Sequence, residues 1–172
     1  SMANESQCLL VSDKTRHDDP MLLYFTSGTV AYPKMVVHTQ ASYGIGHLIT
    51  AKFWQDVHPE DMQWTITDTG WAKIAWGALF GQWTIGARIF VQNCLKYEPK
   101  TILKLLESAG ITIFCAPPTA YRILVQEDLK KYDLKSLRHC ISAGEPLNPE
   151  VIRIWEEGTG NKIYDGYGQT ET

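Results

Sequence analysis

The chain has four cysteines, Cys8, Cys94, Cys115 and Cys140, but no Cys-x-x-Cys pair. That spacing argues against a zinc site and against a disulfide framework, and reads as reduced thiols in an intracellular protein. No basic cluster interleaves with aromatic residues, and the net charge of -3 gives nucleic acid nothing to hold. No apolar run approaches the roughly 20 residues that a membrane-spanning helix needs. The phosphate-loop signature ending in Gly-Lys-Ser/Thr is missing, and so is Gly-x-Ser-x-Gly, so neither a Walker-type site nor a serine-hydrolase elbow is supported. The first residues carry no secretory signal and no arginine-rich transit segment. His38, His47, His58 and His139 show no metal-ligand spacing and read as solvated or core histidines.

What is present is enough for one domain: 172 residues, 44% apolar and 20% charged, a globular composition. Residues 1–20 are polar and irregular. Strand-like runs are expected at 21–25, 35–37, 63–67, 88–92, 112–115, 139–142 and 162–164, from short apolar stretches bounded by turn residues. Helices are expected between them. One covers 39–55, with Tyr43, Gly46, Ile49 and Phe53 on one face. Another covers 71–83, carrying Trp71 and Trp76, which read as core or as the lining of an apolar channel. The helix at 99–109 has Pro99 in its first turn, apolar Ile102, Leu105, Leu106 and Ala109, and Gly110 as cap. Pro117 or Pro118 opens the next, and Asn148-Pro149 opens the last, closing near Gly158. This alternation predicts an α/β fold with a largely parallel sheet and flanking helices. Ligands gather at the carboxyl ends of such strands, where five loops are expected to converge.

Three of those loops carry chemistry. Residues 24–34, Tyr-Phe-Thr-Ser-Gly-Thr-Val-Ala-Tyr-Pro-Lys, offer hydroxyls, a glycine and a cation within a short span, which suits phosphate oxygens. An ordinary Ser/Thr-rich turn is the bland alternative. Residues 163–172, Ile-Tyr-Asp-Gly-Tyr-Gly-Gln-Thr-Glu-Thr, offer a stacking ring at Tyr167, a hydroxyl at Thr170 and, at Glu171, a hard oxygen ligand suited to magnesium. A strand-to-turn connector with a solvated glutamate would look similar. Ser142-Ala143-Gly144-Glu145-Pro146 follows a buried strand and could flank a base, or be a plain connection to the next helix.

In order along the chain, the loop 24–34, the run Trp64-Thr65-Ile66-Thr67-Asp68-Thr69-Gly70-Trp71, the run 142–146 and the ending 166–172 resemble the adenylate-forming enzymes. Within them the chain is similar to the medium-chain acyl-CoA synthetases of mitochondria, from about residue 21 onward. The resemblance implies part of the large AMP-binding domain over 21–172, and a mitochondrial matrix location. It implies a ligase that joins a medium-chain or aromatic carboxylic acid to coenzyme A through an acyl-adenylate, using ATP and Mg²⁺. By resemblance, Thr26, Ser27, Gly28, Thr29, Pro33 and Lys34 hold the β- and γ-phosphates. Gly144, Glu145 and Pro146 frame the adenine, together with Asp165, Gly166, Tyr167, Gly168 and Gln169. Thr170 touches the α-phosphate and the acid's carboxylate, Glu171 binds Mg²⁺, and Trp71 borders the acyl tunnel. Gly168 stands where acetate-preferring relatives place a tryptophan, which leaves room for a longer acid worth ~0.8 kcal/mol per buried CH₂.

The family loop reads Thr-Ser-Gly-Thr-Thr-Gly, whereas Val30 and Ala31 stand here in place of a hydroxyl and a glycine. Losing a charge-assisted bond costs roughly 1.5–3 kcal/mol, so phosphate binding is expected to weaken. The family's ribose-binding aspartate and lysine-bearing C-terminal domain are expected to lie outside this chain. The chain alone is then expected to be nearly inactive, and a non-catalytic nucleotide-binding module is the alternative reading.

Overall fold

The computed structural model describes residues 14–26, 32–93 and 97–171. Near the start, β1 (Pro20–Thr26) and β2 (Lys34–Thr39) form an antiparallel ribbon with pairs such as Leu23 with Val37 and Phe25 with Met35. Helix α1 (Gln40–Phe53) follows directly. Thr39 caps it: its side chain accepts from the Ser42 amide, while Ser42 returns a bond to the Thr39 backbone. This box starts the helix where Gly44 and Gly46 would otherwise weaken it.

Five further strands make the main sheet. They are β3 (Met62–Thr65), β4 (Arg88–Phe90), β5 (Ile113–Cys115), β6 (His139–Ala143) and β7 (Ile163–Gly166), all parallel, in the order β4-β3-β5-β6-β7. Between β3 and β4 run α2 (Ala72–Ile74), a π-helical turn (Ala75–Leu79) and α3 (Phe80–Ile85). The later crossovers are α4 (Pro99–Ser108), α5 (Pro118–Leu124) and α6 (Pro149–Thr159). The chain steps outward from β3 to β4, then back across to β5, so the order reverses beside β3. Such a reversal opens a crevice at the strands' carboxyl ends.

The sheet is buried on both sides, as parallel sheets are. Phe114 and Cys140 face one side, with α4, α5 and α6; Ile113, Cys115 and Ile141 face the other, with Ala51 of α1 and Ile85 of α3. On the first side Trp155, Tyr121 and Phe114 are fully buried, with ring centroids 5.1 Å apart for Tyr121–Trp155 and 5.6 Å for Phe114–Tyr121. Contacts of this kind add ~0.5–1.5 kcal/mol each beyond burial. The two buried thiols, Cys115 and Cys140, are free. Burial pushes Cys140 up to about 12, so it remains a neutral packing group.

The amino ends of β3, β5 and β6 are pinned together by one carboxylate. Asp61 is buried and accepts from Arg138 Nε (2.9 Å), from the Thr112 hydroxyl (2.7 Å) and from the His58 amide (2.7 Å). Arg138 also donates to Asp56 (2.6 Å).

Five sequence expectations need correction. The 24–34 loop does not leave a strand of the main sheet, because β1 and β2 pair with each other. The buried face of α1 is Tyr43, His47 and Ala51, while Ile49 and Phe53 are exposed; α3 packs on the side that carries the histidine. The helix expected over 71–83 is broken by the π-turn, in which the Phe80 amide reaches back to the Ala75 carbonyl. In α4, Leu103 rather than Leu105 is fully buried. Finally, α6 runs past Gly158, where a side chain would strike Leu129 at 2.7 Å, and ends at Gly160.

Candidate active site

Beyond the carboxyl ends of β6 and β7 lies a cavity of about 640 Å³, a typical size for a small-molecule site. Its first wall comes from the ribbon and α1. Alternation along β1 and β2 turns Tyr24 and His38 inward, while Leu23, Phe25, Met35 and Val37 point out and are exposed. Tyr43 and His47, four apart on α1, complete this wall. The hydroxyls of Tyr24 and Tyr43 share a 2.6 Å hydrogen bond, and the Tyr43 and His47 rings lie 4.0 Å apart. Burial, reinforced by the bond to Tyr24, pushes the Tyr43 phenol above its ordinary range. Burial, with the charge of nearby His38, lowers His47 to about 4, so its imidazole is neutral near pH 7.

The second wall is apolar. Trp54 follows α1, Trp71 caps α2 and Trp76 sits in the π-turn; the rings of Trp54 and Trp76 are 5.5 Å apart. Lys73 reaches along the floor and donates to the Ala143 carbonyl at the end of β6 (3.2 Å). Next in chain is Gly144, at φ 117°, a conformation that glycine adopts without strain.

The third wall is the segment after β7. Tyr167, Gly168, Gln169, Thr170 and Glu171 all line the cavity. Across the opening, His38 Nε2 donates to the Thr170 carbonyl (2.7 Å), which also fixes the imidazole tautomer. A side chain at Gly168 would meet nothing within 4 Å. Gly166, by contrast, is backed by Trp54: a Cβ there would fall 2.2 Å from the indole.

The structure thus brings together Trp71, Gly144, Tyr167, Gly168, Gln169, Thr170 and Glu171. Asp165 stands behind them, accepting from the Leu147 amide (3.0 Å) and so tying the loop after β6 to the end of β7. Glu145 points away to a half-exposed pair with Arg122 (3.2 Å), and neither it nor Pro146 lines the cavity. Thr26, Pro33 and Lys34 do not line it either. Lys34 pairs with Thr26 at the far end of the ribbon, four residues before His38, roughly 13 Å along an extended strand. Ser27, Gly28 and Thr29, with Val30 and Ala31, lie outside the described residues.

Sequence reasoning missed Tyr24, His38, Tyr43, His47 and Lys73. A signal existed for the first two: each is a polar ring beside aliphatic residues in a short, mostly apolar strand.

Among the described residues no trio of carboxylate, histidine or cysteine side chains is grouped as a metal cage. The cavity offers a single carboxylate, Glu171, with no ion pair among the described residues. That donor set suits Mg²⁺, which takes one or two protein carboxylates and completes its shell with phosphate oxygens and water.

The family described as AMP-binding enzyme matches residues 3–172 of this sequence. The chain belongs to the AMP-binding enzymes. Within this family, the mitochondrial acyl-coenzyme A synthetase ACSM3 of Homo sapiens is 50% identical over 159 residues, covering 92% of this chain and 27% of ACSM3. The chain therefore spans about a quarter of that relative's length. Among solved structures, the Brucella canis acyl-CoA synthetase superposes with a TM-score of 0.80 at 31% identity, covering 91% of this chain and 28% of that one. The anthranilate CoA ligase AuaEII, solved with anthranoyl-AMP, gives 0.79 at 28% identity, covering 90% of this chain and 30% of its own. The α/β architecture is that of these AMP-binding ligases, with a parallel sheet between helix layers.

Proposed function

We propose that this chain forms the acid- and nucleotide-binding portion of a medium-chain acyl-CoA synthetase acting in mitochondria. The observation that carries the reading is the joining, in one cavity, of the tryptophan wall to the segment Tyr167–Gly168–Gln169–Thr170–Glu171. The tryptophans supply an apolar surface for an alkyl or aryl chain and exclude water from it, at ~0.8 kcal/mol per buried CH₂. Gly168 leaves the passage open beside them. Thr170 stands at the junction with a hydroxyl for the acid's carboxylate and the α-phosphate, its backbone fixed by His38. Tyr167 and the Gly144 turn offer a face and a close backbone approach for the adenine. Glu171 would hold Mg²⁺, which when bound offsets negative charge on phosphoryl oxygens. Coenzyme A is the second acceptor that the family reaction uses. In AuaEII an acyl-AMP is bound, which supports the same division of the cavity here.

The test is calorimetric titration of the 172-residue chain with hexanoate, benzoate, AMP and ATP·Mg²⁺, with a pyrophosphate assay alongside. Binding of acid and nucleotide to one site is expected, without appreciable acyl-CoA formation. Failure of both acid and nucleotide to bind would refute the reading. Nucleotide binding alone, with no acid at any length, favours the alternative of a non-catalytic nucleotide module.

A further inference from the structure

Behind the tryptophan wall lies a cluster that the proposed reaction does not touch. Gln55, Gln63 and Gln82 are all fully buried, each 0% exposed. They come from three places: the turn after α1, strand β3 and helix α3. Their amides bond one another. Gln63 Nε2 donates to Gln55 Oε1 (2.9 Å), and Gln82 Nε2 donates to Gln63 Oε1 (3.1 Å) and to Gln55 Oε1. The remaining donors end on the π-turn. Gln55 Nε2 donates to the Trp76 carbonyl (2.9 Å), and the Gly77 carbonyl accepts from Gln63, Gln82 and the Thr65 hydroxyl.

Three buried amides are a costly way to fill a core, and Gln82 Oε1 has no partner among the described residues. An apolar cluster would stabilise the fold as well. What apolar side chains cannot do is hold two particular carbonyls. A π-turn is one residue inserted into a helix, and removing it would swing the residues on one side by roughly 100° about the axis. Trp76 lies inside this insertion, and its place beside Trp54 depends on which arrangement wins.

We propose that the Gln55–Gln63–Gln82 triad determines the chain-length specificity of the acid pocket by holding the π-turn in the arrangement that puts Trp76 into the cavity wall. The inference rests on reading this cavity as the carboxylic-acid site. The triad is a positioning device, since none of the three glutamines lines the cavity.

The experiment uses the purified chain and follows tryptophan fluorescence while straight-chain acids of four to ten carbons, or AMP, are added. Variants are Gln82→Met and Gln63→Met, which keep the bulk and lose the amide, with Leu103→Ala as a destabilised control on the opposite face of the sheet. In the glutamine variants the octanoate-to-butyrate affinity ratio is expected to change by about fourfold or more, the factor for one buried methylene. AMP affinity should stay within about twofold, and Leu103→Ala should leave the ratio alone. An unchanged ratio in folded glutamine variants, or an equal change in Leu103→Ala, overturns the proposal. Should the glutamine variants fail to fold, Thr65→Val removes the hydroxyl that donates to the Gly77 carbonyl and accepts from Gln63, and must change the ratio; no movement overturns it. If the wild-type chain takes AMP but no acid, the acid-pocket reading itself fails. That outcome appears before any variant is made, so the two failures are distinguishable.

Discussion

Acidification should weaken this fold through one imidazole. In the unfolded chain His47 takes its proton near the ordinary 6.5; in the cavity wall it does so only near 4, because burial, and then the neighbouring His38, disfavours the cation. Between those values the unfolded chain holds more protons than the folded one, so stability falls as pH falls. Above about pH 7 both states are neutral at His47 and the effect vanishes; below about pH 4 both are charged and the loss levels off. Linkage gives a loss of about 1.4 kcal/mol at pH 5.5 and about 2.5 kcal/mol at pH 4.5. Against the 5–15 kcal/mol typical of a domain, that is a large fraction. Urea unfolding at pH 7.5, 5.5 and 4.5 would read it, with the midpoint dropping by about 1 M or more across the series at ordinary m-values. His38 and Tyr43 lie beside His47, and Lys73 and Glu171 line the same cavity, so the comparison must be made with His47→Leu, which keeps them. That variant should lose most of the slope between pH 6.5 and pH 4.5. Parallel curves for the two proteins would refute the assignment of this window to His47.

Other expectations concern glycines and the ion cluster. Gly166→Ala should cost about 1–3 kcal/mol by forcing its methyl into Trp54, whereas Gly168→Ala, with nothing within 4 Å, should melt within a degree or two of wild type; equal melting temperatures for the two would contradict the geometry. Gly168→Trp should fill the mouth of the acid pocket, lowering hexanoate affinity by about tenfold or more while AMP affinity holds, as titration of each ligand would show. Arg138→Met leaves Asp61 buried without its cation and should cost roughly 3–5 kcal/mol in chemical unfolding. Asp61 itself is pulled two ways: burial raises its carboxyl, but the bonds from Arg138, Thr112 and the His58 amide outweigh that and lower it. Its contribution is therefore present above the ordinary carboxylate range and fades only as pH falls through the folded value, in a more acid window than that of His47.

Much of this architecture can be read from local chemistry. Pro99 and Gly110 bracket α4, Asn148 caps α6, and the strand–helix alternation leads to a parallel sheet because those signals act within a few residues. The failures are all nonlocal. Nothing near Tyr24 says that β1 pairs with β2 alone, and nothing near Ile49 says that α3 packs on the His47 side. The π-turn depends on Gln55 and Gln63, which are distant in sequence from Gly77. Along the cavity wall, the segment after β7 and Trp71 are residues that the order of motifs had named, whereas His38 enters through a bond to a residue 132 positions away. Beside the phosphate loop the placement differs: Lys34 matches the motif, and its strand position keeps it out of this cavity's wall.

The β1–β2 ribbon has one further implication. Its two sides are chemically opposite, with Tyr24 and His38 on the inner side and Leu23, Phe25, Met35 and Val37 on the outer. Sliding one strand by a single position past the other would turn that strand's inner ring, Tyr24 or His38, to the outer side and bring its aliphatic groups to the cavity side. Whether a molecule of this protein has a working pocket is thus decided partly by alignment within a two-stranded ribbon, so a properly folded main sheet is no guarantee of a competent one.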